Sequence, residues 1–90
     1  NVVVKHNAER IFDMEDKKIA YTTESVKSFF GNHADMYQTT FYNSRGQYLY
    51  SILGKCIGYT EESFTVVHVG TRNVYSFING VPRIVRSDNI

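Results

Sequence analysis

The spacing of apolar residues along the chain changes character near residue 37. Before this point, apolar side chains recur three or four positions apart, a spacing that places them on one face of a helix. After it, apolar and polar residues alternate, which is typical of strands with one buried face. The sequence therefore predicts an α+β fold, with one or two short N-terminal helices packed on a four- to five-stranded antiparallel β-meander.

The first predicted helix covers residues 6–18. Ile11 and Phe12 follow Ala8 by three and four positions, which is helical spacing, and neither Gly nor Pro interrupts the segment. A β-hairpin that turns at residues 15–18 is the alternative for the same segment. In either case, the segment would present an apolar side to the sheet that follows.

The second predicted helix covers residues 24–30. Thr23 precedes it as a plausible N-cap, and Gly31 follows where a left-handed C-cap residue would stand. Its apolar face would consist of Val26, Phe29 and Phe30. We expect this face to pack against sheet residues such as Leu49, Val66 and Phe77.

Alternation and turn residues predict five strands after the change of period, at residues 37–42, 47–53, 64–69, 74–78 and 81–86. Gly54 and Gly58 bracket three residues and suggest a bulge or bend in a long strand. Asn79-Gly80 is the preferred pair for a two-residue type I′ hairpin turn. Pro82 lacks a backbone donor, so the last strand is expected at a sheet edge.

Length and composition restrict the classes of protein to be considered. Ninety residues, 42% of them hydrophobic, suit a single domain spanning residues 1–90, and the net charge of +1 favours neither disorder nor a strongly basic nucleic-acid binder. No apolar run approaches the roughly 20 residues of a membrane span, so no membrane partner is expected. The first residues lack the charged-then-apolar plan of a signal peptide.

Cysteine and histidine usage limits the chemistry that the chain can carry. Cys56 is the only cysteine and cannot form an internal disulfide, which favours a reducing, cytoplasmic location. The three histidines lie far apart in the sequence, without the spacing of a zinc site. We therefore expect no metal site, and no nucleotide-cofactor motif is present.

Three residues are candidates for acid–base chemistry. His6 and Arg10 are four positions apart and would project from the same face of a helix, where the imidazole could transfer a proton and the guanidinium could hold a phosphate. His68 lies within a predicted strand and shares a face with Phe64 and Val66. The alternatives are solvated polar residues at a helix start and a half-buried structural histidine.

A second set of candidates lies on or beside the predicted sheet. Arg45, Arg72 and Arg83 could grip phosphates, and Tyr75 could stack on a base. The alternative is that the tyrosine follows the ordinary preference of its type for strands and that the arginines only keep the domain soluble.

The order of these elements resembles the barnase/colicin/RelE-like group of small ribonuclease toxins. The similarity lies in Lys5-His6-Asn7-Ala8-Glu9-Arg10, in a short second helix at residues 23–30, and in the closing strands at residues 64–69 and 73–78 followed by Pro82-Arg83. The resemblance implies an endoribonuclease that needs no metal or cofactor. It also implies RNA as substrate and a cognate protein inhibitor or target as a possible partner.

The chemistry that the resemblance implies is attack of a ribose 2′-hydroxyl on the neighbouring phosphorus. His6 or His68 would act as base or acid, and Arg10, Arg72 and Arg83 would hold the phosphate and stabilise its developing charge.

The alternative class is a binding module without enzymatic activity. Residues 37–86 could close into a small SH3-like barrel, or into an Sm-like barrel of the kind that binds RNA as a ring. The spacing of Gly54, Gly58 and Tyr59 weakly resembles the Sm pattern. A small inhibitor or adaptor that docks a protein partner through an apolar sheet edge is a further possibility.

Overall fold

The computed structural model describes residues 16–27 and 36–90. It contains seven strands: β1 (Tyr21–Lys27), β2 (Met36–Tyr42), β3 (Tyr48–Leu53), β4 (Lys55–Thr60), β5 (Ser63–His68), β6 (Thr71–Ile78) and β7 (Val81–Asn89). They form a three-stranded sheet in the order β1-β2-β3 and a four-stranded sheet in the order β4-β5-β6-β7. Within each sheet, every strand pairs antiparallel with the strand that follows it in the sequence.

The predicted α+β class is wrong, because all the regular elements in the described parts of the chain are strands. Residues 24–27, predicted to begin the second helix, are the second half of β1 and pair with β2. Residues 16–18, predicted to end the first helix, are not helical. The rest of both predicted helices, residues 6–15 and 28–30, lies outside the described residues.

The physical reason is that β1 is rich in residues that favour strands. Thr22, Thr23 and Val26 are β-branched, and β2 offers this segment a complete row of hydrogen-bonding partners. Thr23, which was predicted as an N-cap, is therefore a member of a strand. Val26 is 53% exposed, so its predicted packing against the sheet is also wrong, while Phe29 and Phe30 lie outside the described residues.

The antiparallel arrangement after residue 37 is confirmed, although its strands are more numerous than predicted. Gly54 divides the long predicted strand into β3 and β4, and the register shifts between Cys56 and Gly58. Asn79 and Gly80 both have positive φ angles, 57° and 78°, as a type I′ turn requires. Strand β7, which contains Pro82, lies at the edge of its sheet as predicted.

The core forms where aromatic side chains of the two sheets meet. The rings of Phe41 on β2 and Phe64 on β5 are fully buried, with centroids 4.3 Å apart. The other buried apolar residues are Ile19, Val66 and Phe77. Burial of each phenylalanine contributes about 1.5–3 kcal/mol. The face of each sheet that carries these residues is called its inner face below.

The passage from β3 to β4 at Gly54 is a tight corner held by hydrogen bonds. The Gly54 N–H donates to the Tyr37 carbonyl at 2.7 Å. The Thr39 hydroxyl donates to the Gly54 carbonyl at 2.9 Å and accepts from the Cys56 N–H at 3.2 Å. Thr39 is buried, and this pair of bonds satisfies its hydroxyl.

Glycine is required at this corner for two reasons. Its φ angle of 124° belongs to a region that residues with a side chain rarely adopt. A Cβ atom at Gly54 would also overlap Cγ1 of Val66 and come within 2.9 Å of the Val67 carbonyl oxygen. Gly58, four residues later, has open space around the same position.

We expect Gly54→Ala to lower the free energy of unfolding by more than about 2 kcal/mol, because it combines backbone strain with a collision in the core. Gly58→Ala is the matched control and should change stability by less than about 1 kcal/mol. Urea unfolding followed by far-UV circular dichroism measures both. Equal losses in the two variants would contradict the role assigned to the corner.

Candidate functional site

The four-stranded sheet has an outer face that carries most of its cationic side chains. Directly paired residues of antiparallel strands point to the same side, so the register assigns each residue to a face. The outer residues are Lys55, Gly58, Thr60, Ser63, Thr65, Val67, Arg72, Val74, Ser76, Ile78, Val81, Arg83, Arg86 and Asp88. We call this surface the arginine face.

The three arginines of this face follow the β6–β7 ladder. Arg72 is paired with Asp88, Arg86 with Val74, and Arg83 with Ser76. These pairs lie two residues apart along β6, or about 7 Å at 3.4 Å per residue. The guanidinium groups therefore start from a row of backbone positions about 14 Å long.

Asp88 is the carboxylate within the row. Its Oδ2 accepts a hydrogen bond from Arg86 Nε at 2.9 Å and lies 3.6 Å from Arg72 Nη2. All three side chains are partly exposed, and exposed ion pairs of this kind contribute only about 0–1 kcal/mol. Arg83 is exposed and forms no ion pair with the residues that the structure describes. An anionic ligand could therefore bind all three arginines, because breaking the ion pairs with Asp88 would cost little free energy.

A bulge at Val85 explains why Arg86 belongs to this face. The register of β6 and β7 shifts between Val74 and Tyr75, so Val85 has no direct partner. Strict alternation along the sequence would place Arg83 and Arg86 on opposite sides of the strand. The extra residue brings them to the same side, which alternation alone does not predict.

Hydroxyl groups occupy the space beside the arginines. Ser63, Thr65 and Ser76 lie on the arginine face and are half-buried. Hydroxyls can donate hydrogen bonds to phosphate oxygens without adding charge. No aromatic side chain lies on this face within the described strands β4–β7. The surface can therefore contact an anionic backbone, but it offers no ring on which a base could stack.

His68 and Tyr75, both predicted as site residues, lie on the inner face instead. His68 is the last residue of β5 and is half-buried on the same side as Phe64. The Tyr75 ring stacks on Phe64 with centroids 4.9 Å apart and therefore belongs to the core. His68 and Tyr75 therefore lie on the opposite side of the sheet from Arg72 and Arg83. The two arginines share the arginine face.

Arg45, a third predicted binding residue, lies in the hairpin of the other sheet. Its Nε is 3.3 Å from Asp16 Oδ2, and its backbone N–H donates to the buried side chain of Asn43. Arg45 therefore stabilises the turn between β2 and β3, apart from the arginine face. His6 and Arg10 lie outside the described residues.

Cys56 lies half-buried beside the corner. Its thiol donates to the Gly58 carbonyl, with sulfur and oxygen 3.3 Å apart, and burial raises the pKa of the thiol. A raised pKa keeps more of the sulfur in the protonated, less nucleophilic form near neutral pH. Nothing in this environment activates Cys56 for catalysis.

The described part of the chain offers neither a cluster of metal ligands nor a membrane-spanning helix. Residues 16–27 and 36–90 contain no group of three or more His, Cys, Asp or Glu side chains that could hold a metal ion. Within these ranges no helix is long and apolar enough to cross a membrane. Comparison with protein-family models, curated proteins and solved structures gives no match. Function must therefore be argued from the geometry of this chain.

We expect iodoacetamide to alkylate Cys56 more slowly in the folded chain than in urea, at the same pH near 8, because folding raises the thiol pKa. The same shift favours the folded state while the thiol is protonated. This contribution is lost as pH rises from the unfolded pKa through the folded one. Mass spectrometry of timed samples gives the two rates, and a folded rate equal to the unfolded rate would contradict the environment described for Cys56.

Proposed function

We propose that this domain is a binding module without enzymatic activity, and that its arginine face contacts the phosphate backbone of RNA. The observation that carries the proposal is the gathering of Arg72, Arg83, Arg86 and Lys55 on one exposed face of a sheet, against the single carboxylate of Asp88. Four of the ten lysine and arginine residues of the chain therefore lie on this face, together with one of its nine acidic residues.

The chemistry of the face favours a phosphate backbone over other acidic partners. Arginine presents a planar fork of donors that matches phosphate oxygens, and among the described residues Arg72 and Arg86 form exposed ion pairs with Asp88 alone. The neighbouring hydroxyls add neutral donors. The lack of aromatic rings on the face in the described strands favours contacts with phosphate and sugar, which carry little sequence information.

Lys55 extends the cationic surface towards the corner between the sheets. It is exposed on β4, and its Nζ lies 5.1 Å from the centroid of the Tyr37 ring. An exposed contact between a cation and an aromatic ring contributes only about 0.5–1 kcal/mol. The ring carries no net charge, so the lysine keeps its positive charge. Lys55 therefore supports long-range attraction of a polyanion in addition to the arginine row.

Ribonuclease activity remains a prediction that depends on His6 and Arg10. Within the described residues, no histidine shares the arginine face, and His68 lies behind the sheet. This arrangement supports binding better than cleavage, because the predicted acid–base mechanism needs His6 or His68 within hydrogen-bonding reach of the bound phosphate. The experiment below also detects cleavage.

We expect the purified domain to bind a fluorescein-labelled 20-nucleotide RNA of mixed sequence, with an affinity that falls steeply between 50 and 200 mM salt. Arg83→Gln should weaken binding similarly for all sequences and reduce the magnitude of the salt slope by about 1. Arg45→Gln removes the same charge from the hairpin of the other sheet and is the matched control. Fluorescence anisotropy measures all three proteins.

Two outcomes of this experiment would count against the proposal. One is wild-type binding that Arg83→Gln leaves unchanged, and the other is an equal loss in the Arg45→Gln control. Gel analysis of the same RNA after incubation tests the enzymatic alternative. Cleavage that persists in chelator and is abolished by His6→Ala would favour a metal-independent ribonuclease.

Asp88→Asn provides a second, opposite test of the arginine face. It removes the carboxylate that competes with phosphate for Arg72 and Arg86, so RNA affinity should increase several-fold at low salt. Stability should fall by less than about 1 kcal/mol, because the ion pairs are exposed. Anisotropy and urea unfolding are the measurements. Weaker RNA binding would mean that Asp88 orients the arginines and does not compete with the ligand.

A further inference from the structure

The outer face of the three-stranded sheet has a chemistry different from that of the arginine face. Phe41 and its partners point inward, so the alternate residues of β1, β2 and β3 point outward. The outward positions of the three strands hold Tyr21, Thr23, Ser25, Lys27, Met36, Gln38, Thr40, Tyr42, Tyr48, Ser51 and Leu53. We call this surface the tyrosine face.

Three tyrosines form one row across this sheet. Tyr42 on the central strand is paired with Tyr21 on one side and with Tyr48 on the other. Neighbouring strands lie about 4.8 Å apart, so the row extends for about 10 Å. The register thus builds a continuous aromatic strip from residues that are far apart in the sequence.

Part of the strip is held in place, and part is open to a ligand. The rings of Tyr21 and Tyr42 stack with centroids 5.0 Å apart and planes 12° apart, and Thr23 Oγ1 lies 3.4 Å from the Tyr42 hydroxyl. Tyr48 is 63% exposed and Tyr21 is 41% exposed. Exposed rings held in fixed orientations present apolar surface that a ligand can cover at a small entropic cost.

Neutral hydrogen-bonding groups adjoin the aromatic strip. The hydroxyls of Thr40 and Ser51 are hydrogen-bonded to each other at 2.9 Å, and Ser25 and Gln38 form the next pair along the strands. The tyrosine row and the outward positions next to it along β1 and β2 are uncharged, and the outward lysine, Lys27, is paired with Met36 six residues from the row, or about 20 Å at 3.4 Å per residue. The cation in the adjoining hairpin, Arg45, is paired with Asp16.

From this combination we infer that the tyrosine face binds a neutral carbohydrate chain. The C–H faces of sugar rings are apolar and can pack on tyrosine rings, while their hydroxyls can exchange hydrogen bonds with threonine, serine and glutamine side chains. Along β1 and β2, the outward cation nearest the tyrosine row is Lys27, six residues away, whereas the arginine face has three arginines in one row, which distinguishes the two surfaces. The length of the strip suits an oligosaccharide of several units better than a single sugar.

The inference can be tested with three neutral oligosaccharides of defined linkage: cellohexaose, laminarihexaose and mannohexaose. We expect at least one of them to bind the ¹⁵N-labelled chain and to shift amide resonances of β1, β2 and β3 selectively. The chain contains no tryptophan, so its ultraviolet emission comes from its seven tyrosines, and comparison of wild type with Tyr48→Ala assigns a change on adding the sugar to this face.

Variants locate the binding site on the tyrosine face. Tyr48→Ala should weaken binding by about 10-fold or more, and Tyr48→Phe, which keeps the ring, should retain most of the affinity. Tyr59→Ala removes another exposed tyrosine, on β4 of the other sheet, and should leave binding unchanged. RNA binding by Tyr48→Ala should equal that of the wild type, so failure of this inference is separable from failure of the proposed function.

Three results would overturn the inference. The first is that the wild type binds none of the three oligosaccharides at millimolar concentration. The second is that Tyr59→Ala loses as much affinity as Tyr48→Ala. The third is that sedimentation shows a wild-type dimer that Tyr48→Ala converts into a monomer, which would make the tyrosine face a contact between copies of this chain.

Discussion

The corner at Gly54 is the constraint on which the rest of the structure depends. A meander of short strands has one apolar face, which a single flat sheet would leave in water. The Thr39 hydroxyl, hydrogen-bonded to Gly54 and Cys56, fixes the bend at which the chain leaves the first sheet and enters the second. Phe41 then meets Phe64, and the two apolar faces become one core.

The same corner decides what each sheet presents to solvent. Because both inner faces are used for the core, the outer faces are free to differ in chemistry. The arginine face carries arginines, hydroxyls and the carboxylate of Asp88. The tyrosine face carries tyrosine rings beside neutral amide and hydroxyl side chains. The two surfaces belong to different sheets, which gives each candidate ligand its own binding face.

The sequence predicted structure correctly where a feature depends on the backbone conformation of a few neighbouring residues. The turn at Asn79-Gly80, the edge position of Pro82 and the bend near Gly54 were all predicted correctly, since each depends on a special φ angle or a missing donor. The second helix was predicted wrongly because the strand character of β1 depends on pairing with β2.

The candidate site was predictable only in part, for a related reason. Alternation correctly placed His68 on the same side as Phe64 and Val66, but the pattern alone did not show that this side is the interior. Arg72 and Arg83 were identified as binding candidates, whereas Arg86 joined them through the bulge at Val85, which carries no distinctive residue signal. Pairing of distant strands also produced the tyrosine row.

The sequential pairing of strands within each sheet has a consequence for how the chain reaches this structure. In the four-stranded sheet, each connection contains only two residues, so the entropy lost in closing each hairpin is small and its strands can associate quickly. The corner between the sheets joins Thr39 to Gly54 and Cys56, which are more distant in sequence. We therefore expect the corner to form after the hairpins. Until then, both aromatic faces are open to water, and a nascent chain would be most prone to aggregate in that interval.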